Sequence, residues 1–172
     1  MQVLVCSRTQ VSQFQSRHGV THVLSQLDPG KRPFLHPQRR VNWLLQHFED
    51  NLDADQPLSP TREHCEQFLS WAKDIPDDAV VLVHCEAGVS RSTASALCIL
   101  VQSRGVDKID ECIQELLAVR PQACPNPIIT QFCDEILGGL HPHRQRAARM
   151  VAPGNGLLGC RERQRHAGWQ QR

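Results

Sequence analysis

The chain of 172 residues carries 19 Lys and Arg against 18 Asp and Glu, and 40% of its residues are apolar. This length favours one domain with a sizeable core. No apolar run reaches the length of a membrane-spanning helix, and residues 1–6 are too short for the apolar segment of a signal peptide. Several of the eight cysteines fall on apolar helical stripes, so we expect a reducing, cytoplasmic location.

The first half of the chain alternates short apolar strands with helical segments. The predicted elements are a strand over 2–6, a short helix over 9–17, strands over 21–27 and 41–48, and a Pro- and Arg-rich loop over 31–40. Asp28-Pro29-Gly30 predicts a turn after the second strand. Ser59 and Pro60 match the N-cap and first-turn residues of a helix. The apolar face of that helix comprises Cys65, Phe68, Leu69 and Ala72.

The second half begins with a β-branched block, 79–83, whose lack of polar alternation predicts a strand buried on both faces. Three helices follow. They comprise the stripe Ala94, Leu97, Cys98 and Val101, then residues 107–119, then a helix opened by Asn126-Pro127 and closed by glycines 138–139. This order predicts an α/β fold of three layers, with helices flanking a mainly parallel central sheet. Sites on such sheets lie at the carboxyl ends of the strands.

Cys85 and Arg91 lie six residues apart, where the 79–83 strand ends and the next helix begins. The unpaired N–H groups of a helix N-terminus bind anions, and Gly88 in mid-loop can take positive φ so that the loop curls around a phosphate. The guanidinium of Arg91 can hold two phosphate oxygens, and the positive field favours a thiolate at Cys85. Ser92 can offer its hydroxyl to that sulfur. The pattern therefore predicts a phosphate-binding loop with a cysteine nucleophile.

Spacing alone is weak, because Cys98 and Arg104 are also six residues apart. That pair has no preceding strand and no glycine, so we expect Cys98 to pack in the core. A buried structural cysteine is the alternative for position 85. It would leave the glycine, the arginine and the serine of the loop without explanation.

The string 84–92, His-Cys-Glu-Ala-Gly-Val-Ser-Arg-Ser, resembles the signature of the cysteine-based protein tyrosine phosphatases, in the form typical of the dual-specificity branch. Residues 48–51 resemble the general-acid loop of that branch, and Arg120-Pro121 with Pro125-Asn126 resemble the segment before its last helix. The resemblance covers residues 1–139, and small bacterial or phage members are the best overall match. It implies the dual-specificity phosphatase fold and a two-step reaction through a phosphocysteine intermediate.

Carried over residue by residue, the resemblance implies that Cys85, Arg91 and Asp50 are catalytic. We expect Ser92 to assist them. The loop residues expected to bind the substrate are Glu86, Ala87, Gly88, Val89, Ser90 and Arg91.

A general acid is needed because the departing alkoxide or phenoxide requires a proton, and such an acid contributes about 10²–10⁴-fold in rate. Asp50, Asp53 and Asp55 lie in one polar segment before the cysteine. We favour Asp50, because it directly follows the apolar stretch that ends at Phe48, so a strand would deliver it to the edge of the sheet. Asp53 is the alternative. The segment lacks the Trp-Pro-Asp form of the larger tyrosine phosphatases.

His84 precedes the nucleophile, yet neighbouring strand residues point to opposite faces of a sheet. We therefore expect its ring to hydrogen-bond to backbone and support the loop, with direct proton transfer as the alternative. The chain has no Cys-x-x-Cys, and neither His18 with His22 nor His141 with His143 has the spacing of metal ligands. No metal and no cofactor are expected.

The charge is split along the chain: residues 1–140 carry −5 (12 Lys and Arg, 17 Asp and Glu), and residues 141–172 carry +6 (seven Arg, one Glu). We therefore expect a catalytic domain over 1–140 and a basic, disordered tail over 141–172. Because Trp169 is its one aromatic residue, a solvated tail is favoured over one that contacts nucleic acid or membrane. The oligomeric state is left open.

The expected partner is a phosphorylated protein substrate, because the loop has no cation besides Arg91 to offset several phosphates. The implied activity is hydrolysis of phosphotyrosine monoesters, with phosphoserine and phosphothreonine left open. One alternative is a phosphopeptide-binding pseudoenzyme, against which the presence of Cys85 and Asp50 argues. The other is a rhodanese- or arsenate-reductase-like thiol enzyme, which needs no upstream Asp.

Overall fold

The computed structural model describes residues 1–34 and 40–138. Within these ranges the sheet has four strands, all parallel, in the order β1-β4-β2-β3. They are β1 (Gln2–Ser7), β2 (His22–Leu27), β3 (Asn42–His47) and β4 (Val80–Cys85). The predicted parallel sheet is confirmed. Its register pairs Ser7 with Cys85 and Ser25 with His84, so the carboxyl ends of β1, β2 and β4 converge on one edge.

Helices cover both faces of this sheet. In the described residues they are α1 (Val11–His18), α2 (Arg62–Lys73), α3 (Arg91–Arg104), α4 (Ile109–Val119) and α5 (Pro127–Leu137), with short 3₁₀ turns over Arg8–Gln10 and Val106–Lys108. The α1 helix packs on one face, and the other helices pack around α3 on the opposite face. The three-layer α/β fold is therefore confirmed.

Alternate residues of β1, β2 and β4 pack into the two cores on opposite faces of the sheet. Val81 and Val83 of β4 belong to the large core beneath α3, whereas Leu82 belongs to the smaller core beneath α1. The same alternation holds in β1 and β2. Because both faces are covered, both sets of side chains are apolar, which explains the lack of polar alternation in β4.

The α3 helix is buried over a wider surface than its predicted stripe. Every residue from Arg91 to Val101 is buried, because α2, α4 and α5 enclose the helix. Cys98 is 2% exposed and packs in the large core, as predicted. The hydroxyls that this enclosure buries are paired; Ser95 Oγ, for example, donates to Gln26 Oε1 at 2.9 Å.

The predicted start of α2 at Ser59-Pro60 is wrong. The N-cap is Thr61, whose hydroxyl accepts a hydrogen bond from the His64 amide, and the helix begins at Arg62. Ser59 instead donates its hydroxyl to the Asp53 carbonyl at 2.7 Å, which closes the loop after Asp50. The predicted apolar face of this helix is buried.

Among the helices of residues 1–34 and 40–138, none combines the length and the apolar composition of a membrane-spanning segment. The proposed basic tail over 141–172 lies outside the described residues, as does part of the predicted 31–40 loop. The predicted boundary between a catalytic domain and a tail therefore stays a prediction.

Candidate active site

The loop between β4 and α3 wraps around the Cys85 thiol. Cys85 is the last residue of β4 and is fully buried. Its sulfur accepts a hydrogen bond from the Gly88 amide at 3.3 Å and lies 3.2 Å from Ser92 Oγ. The structure thus brings Cys85, Gly88 and Ser92 together around one sulfur atom.

Gly88 is required by its backbone and by its surroundings. Its φ is 70°, in the left-handed region that favours glycine. A Cβ atom there would lie 2.7 Å from the Ser7 amide nitrogen and closer still to the Cys6 carbonyl. The end of β1 therefore presses directly on the loop and leaves no room for a side chain.

The Arg91 guanidinium is fully buried and only partly paired. Its Nη1 donates to the Phe48 carbonyl at 2.5 Å and to Asp28 Oδ1 at 2.8 Å. Nε and Nη2 are buried and have no hydrogen-bond partner among the described residues. Burial lowers the pKa of Arg91, but Cys85, Asp50 and Asp28 together raise it above its ordinary value. The N–H groups of Nε and Nη2 can therefore donate hydrogen bonds to a bound oxyanion.

The preferred acid candidate, Asp50, lies against the loop. Its Oδ1 accepts hydrogen bonds from Ser90 Oγ at 2.6 Å and from Asn126 Nδ2 at 2.8 Å. Asp53 and Asp55 are exposed, and the Asp53 carboxylate accepts the Asp55 amide at 3.1 Å, within its own segment. Asp50 is therefore the carboxylate of this segment that the structure brings to the loop.

Asn126 supports this contact from the start of α5. Its Oδ1 caps the helix by accepting the Ile128 and Ile129 amides, while Nδ2 donates to Asp50 and, at 2.9 Å, to the Asn51 carbonyl. The sequence indicated Asn126 as a helix start but did not predict its contact with the acid segment.

Arg120 holds the loop from outside. Its Nε donates to the Gly88 carbonyl and its Nη2 to the Ala87 carbonyl, each at 2.7 Å. The Cys124 amide donates to the Val89 carbonyl and the Asn126 amide to the Ser90 carbonyl. These donors turn the carbonyls of residues 87–90 outward. Partial burial lowers the pKa of Arg120, against the opposing effects of Cys6 and Cys85.

Glu86 faces Arg8 at the edge of the loop. Its Oε2 lies 3.9 Å from Arg8 Nη1, and its carbonyl accepts the Arg8 amide at 3.1 Å. The Arg8 guanidinium in turn stacks over the Phe34 ring, 4.3 Å from its centroid.

His84 is buried and hydrogen-bonded at both ring nitrogens. Nε2 lies 2.6 Å from Ser25 Oγ, and Nδ1 lies 3.5 Å from the Cys85 carbonyl. Because Trp43 Nε1 donates to Ser25 Oγ at 2.9 Å, the Ser25 proton is available for His84 Nε2. Burial, with smaller effects from Arg8 and Arg91, lowers the pKa of His84 to about 4. The ring is therefore neutral at physiological pH and contacts backbone, with Ser25 as a partner that the sequence did not predict.

Among residues 1–34 and 40–138, no group of three or more His, Cys, Asp or Glu side chains is arranged to hold a metal ion. The polar groups around Cys85 and Arg91 are hydrogen-bond donors and two carboxylates, Asp28 and Asp50. Such a set suits a tetrahedral oxyanion next to a sulfur nucleophile.

Several known proteins are similar to this chain. The family model described as "Dual specificity phosphatase, catalytic domain" matches residues 3–135. The curated mouse protein dual specificity protein phosphatase 19 is 32% identical over 112 residues, which cover 64% of this chain and 47% of that protein. The chain therefore spans about half the length of this relative.

Solved structures agree on the fold. Human DUSP28 superposes with a TM-score of 0.61 at 22% identity, covering 82% of this chain and 94% of that one. PTPMT1 in complex with PI(5)P gives 0.57 at 17% identity, covering 88% and 95%. Human tyrosine phosphatase-like serine/threonine/tyrosine-interacting protein gives 0.56 at 19% identity, covering 76% and 84%. The prediction of a small bacterial or phage member stays a prediction. Since the family model covers most of its length, the chain belongs to the dual-specificity phosphatase catalytic-domain family.

Proposed function

We propose that this chain hydrolyses phosphate monoesters on proteins through a phosphocysteine intermediate. The observation that carries the proposal is the Arg91 guanidinium, whose Nε and Nη2 are buried without a partner in the described structure. Arg91 begins α3, at the end of the loop that follows Cys85. Buried charged donors left unpaired are costly. Two oxygens of a bound phosphate would satisfy both and place the phosphorus next to the sulfur.

In the proposed first step, the Cys85 thiolate attacks the phosphorus. An S–P bond forms, the P–O bond to the substrate breaks, and Asp50 gives its proton to the departing oxygen. Arg91 and the loop amides hold the non-bridging oxygens, where negative charge is greatest. Support comes from the two hydrogen bonds that hold the Asp50 carboxylate beside the loop, one from Ser90 of the loop and one from Asn126 of α5's N-cap.

In the proposed second step, water attacks the phosphocysteine and gives a proton to the Asp50 carboxylate. The S–P bond breaks and inorganic phosphate forms. Ser92 donates its hydroxyl proton in a hydrogen bond to the departing sulfur, which lies 3.2 Å from Ser92 Oγ. This hydrogen bond stabilises the thiolate as it leaves.

The proposed substrate is a phosphoprotein, with phosphotyrosine first and phosphoserine or phosphothreonine left open. Loop residues 86–90 contain no cation, and Asp28 and Asp50 add negative charge beside Arg91. Substrates with several phosphates need more positive charge than this. Phosphoinositides are the competing ligand class, since PTPMT1 has been solved with PI(5)P.

A second candidate is a binding protein without turnover. The superposition on a tyrosine phosphatase-like interacting protein favours it. The presence of Cys85 and Asp50 at the site argues against it. No contact in the described structure favours a rhodanese- or arsenate-reductase-like reaction. The family match over 3–135 supports placing catalysis in residues 1–140; a solvated tail and a cytoplasmic location stay predictions.

The test is phosphate release by the full chain from matched phosphotyrosine, phosphoserine and phosphothreonine peptides and from PI(5)P vesicles, each with EDTA. We expect release from phosphotyrosine peptide, unchanged by EDTA. Peptide binding without release would favour the binding protein. Faster release from PI(5)P would reassign the substrate, and thiocyanate formation from thiosulfate and cyanide would favour the rhodanese-like reaction.

A further inference from the structure

The carboxylate of Asp28 lies at the edge of the site. The sequence indicated this residue only as part of a turn. It follows the last residue of β2, and its side chain is 38% exposed. Its own carbonyl accepts hydrogen bonds from the Lys31 amide at 3.1 Å and from His47 Nδ1 at 3.2 Å. The backbone of Asp28 is therefore held by the turn and by β3, which fixes where its carboxylate can reach.

That carboxylate meets one nitrogen of the Arg91 guanidinium. Nη1 carries two protons; one is accepted by the Phe48 carbonyl and the other by Asp28 Oδ1. The guanidinium is planar, and the protons on Nε and Nη2 point to one side of it as a fork. With Nη1 saturated at a buried position, that fork is the part of Arg91 left to bind an anion.

We infer that Asp28 is a positioning residue, whose carboxylate holds Nη1 of Arg91 so that Nε and Nη2 face a bound phosphate. The inference rests on the proposed function, because it names how the phosphate-binding arginine is oriented. Phe48 supplies a single acceptor from β3's side of the sheet, and one acceptor does not fix the rotation of a planar group. Asp28 supplies the second acceptor for Nη1, and the two acceptors together fix the orientation of the guanidinium.

Because Asp28 is negatively charged, its effect on anion binding through charge and its effect through the orientation of Arg91 have opposite signs and can be distinguished. If the carboxylate acted only through charge, its removal would strengthen anion binding, because a repulsive group would be lost. If it acts by holding Nη1, removal of the acceptor weakens anion binding despite the gain in positive potential. Asparagine keeps an acceptor oxygen at the same position without the charge, so it should preserve the orientation.

The experiment is titration calorimetry of the full chain with tungstate, a tetrahedral oxyanion, alongside kcat and KM for an aryl phosphate. For Asp28→Ala we expect tungstate affinity to fall about tenfold, the weight of one hydrogen bond to a charged group. For Asp28→Asn we expect affinity equal to that of the parent or tighter. Asp78→Ala is the matched control; it removes one exposed carboxylate before β4, at the opposite edge of the sheet, and should change nothing.

A second variant, Asp28→Leu, keeps the approximate shape of the side chain but has no acceptor. It should show the same loss of tungstate affinity as Asp28→Ala, and it provides the test if the alanine variant does not fold. Arg91→Lys should abolish the difference between Asp28 and its alanine variant, since lysine has no fork to orient. Unchanged or tighter tungstate binding by both Asp28→Ala and Asp28→Leu would overturn the inference. Absence of tungstate binding by the parent would instead overturn the proposed function, and the inference with it.

Discussion

Asn126 and Asp50 are 76 positions apart in the chain, and a 2.8 Å hydrogen bond joins Nδ2 of the first to Oδ1 of the second. The same amide side chain caps α5 through its oxygen. The start of α5 is thus tied to the segment that carries the proposed acid. Ser90 of the loop donates to the same carboxylate oxygen, so loop, acid segment and α5 meet at one atom.

Asp50→Asn should slow aryl phosphates with poor leaving groups far more than those with good ones, by about 10²–10⁴-fold at the poor end, since only poor leaving groups need a proton. The measurement is kcat/KM across a series of substituted phenyl phosphates. Asp53→Asn is the matched control and should leave the series unchanged. Equal slowing of every substrate by Asp50→Asn would reject it as the acid, and a selective effect of Asp53→Asn would transfer the role.

Asn126→Ala should lose both the cap and the contact with Asp50. We expect about 1 kcal/mol less stability, from the lost cap, and slower cleavage of poor leaving groups. Asn126→Ser separates the two effects, because a serine hydroxyl caps a helix but is too short to reach Asp50. Thermal unfolding and the same aryl phosphates measure both. If the serine variant keeps the full rate on poor leaving groups, the contact with Asp50 has no catalytic role.

Gly88→Ala should abolish tungstate binding and turnover, and destabilise the fold by roughly 1–3 kcal/mol. The added methyl group requires a left-handed conformation and collides with the backbone of β1. Gly19→Ala is the control: its φ is 62°, with no atom within 4 Å of the added Cβ. It should lower stability through the backbone alone and leave activity per folded molecule intact. Active, tungstate-binding Gly88→Ala protein would contradict the geometry of the loop.

His84 makes stability depend on pH. Its pKa is lowered from 6.5 to about 4 by burial, so the unfolded chain binds a proton between these values that the folded chain does not. The contribution of His84 to the free energy of unfolding is therefore fully present above about pH 6.5. It is lost as the pH falls towards 4, which lowers the stability by about 3 kcal/mol. Urea unfolding at pH 4 to 7 should show that slope, and His84→Gln should flatten it. Identical slopes in both proteins would mean that His84 is not buried as a neutral ring.

The sheet and its helices could be predicted because each core imposes a period on the residues that face it. The β-branched run of β4 and the Asn126-Pro127 start of α5 are local patterns, and both predictions are confirmed. The predicted start of α2 is wrong because Ser59 and Thr61 are both residue types that cap helices. The choice depends on the Asp53 carbonyl, which takes the Ser59 hydroxyl in the folded chain.

The partners of the site could not be predicted in the same way. Asp28 meets Arg91 because β2 pairs directly with β4, an adjacency that no local pattern contains. Arg120 reaches the loop from the segment after α4, which depends on how the helices pack around α3. The position of the loop from Cys85 to Arg91 could be predicted, because the strand, the glycine and the helix start that define it lie within a few consecutive residues.

The most direct test of the proposed reaction is to trap the intermediate. The full chain is mixed with phosphotyrosine peptide, quenched with acid within milliseconds and examined by mass spectrometry, alongside Cys85→Ser. We expect one phosphate on the peptide that contains Cys85, and no phosphate and no turnover in Cys85→Ser, which should still bind tungstate through Arg91 and the loop. Phosphate on another residue, or turnover by Cys85→Ser, would contradict a phosphocysteine mechanism.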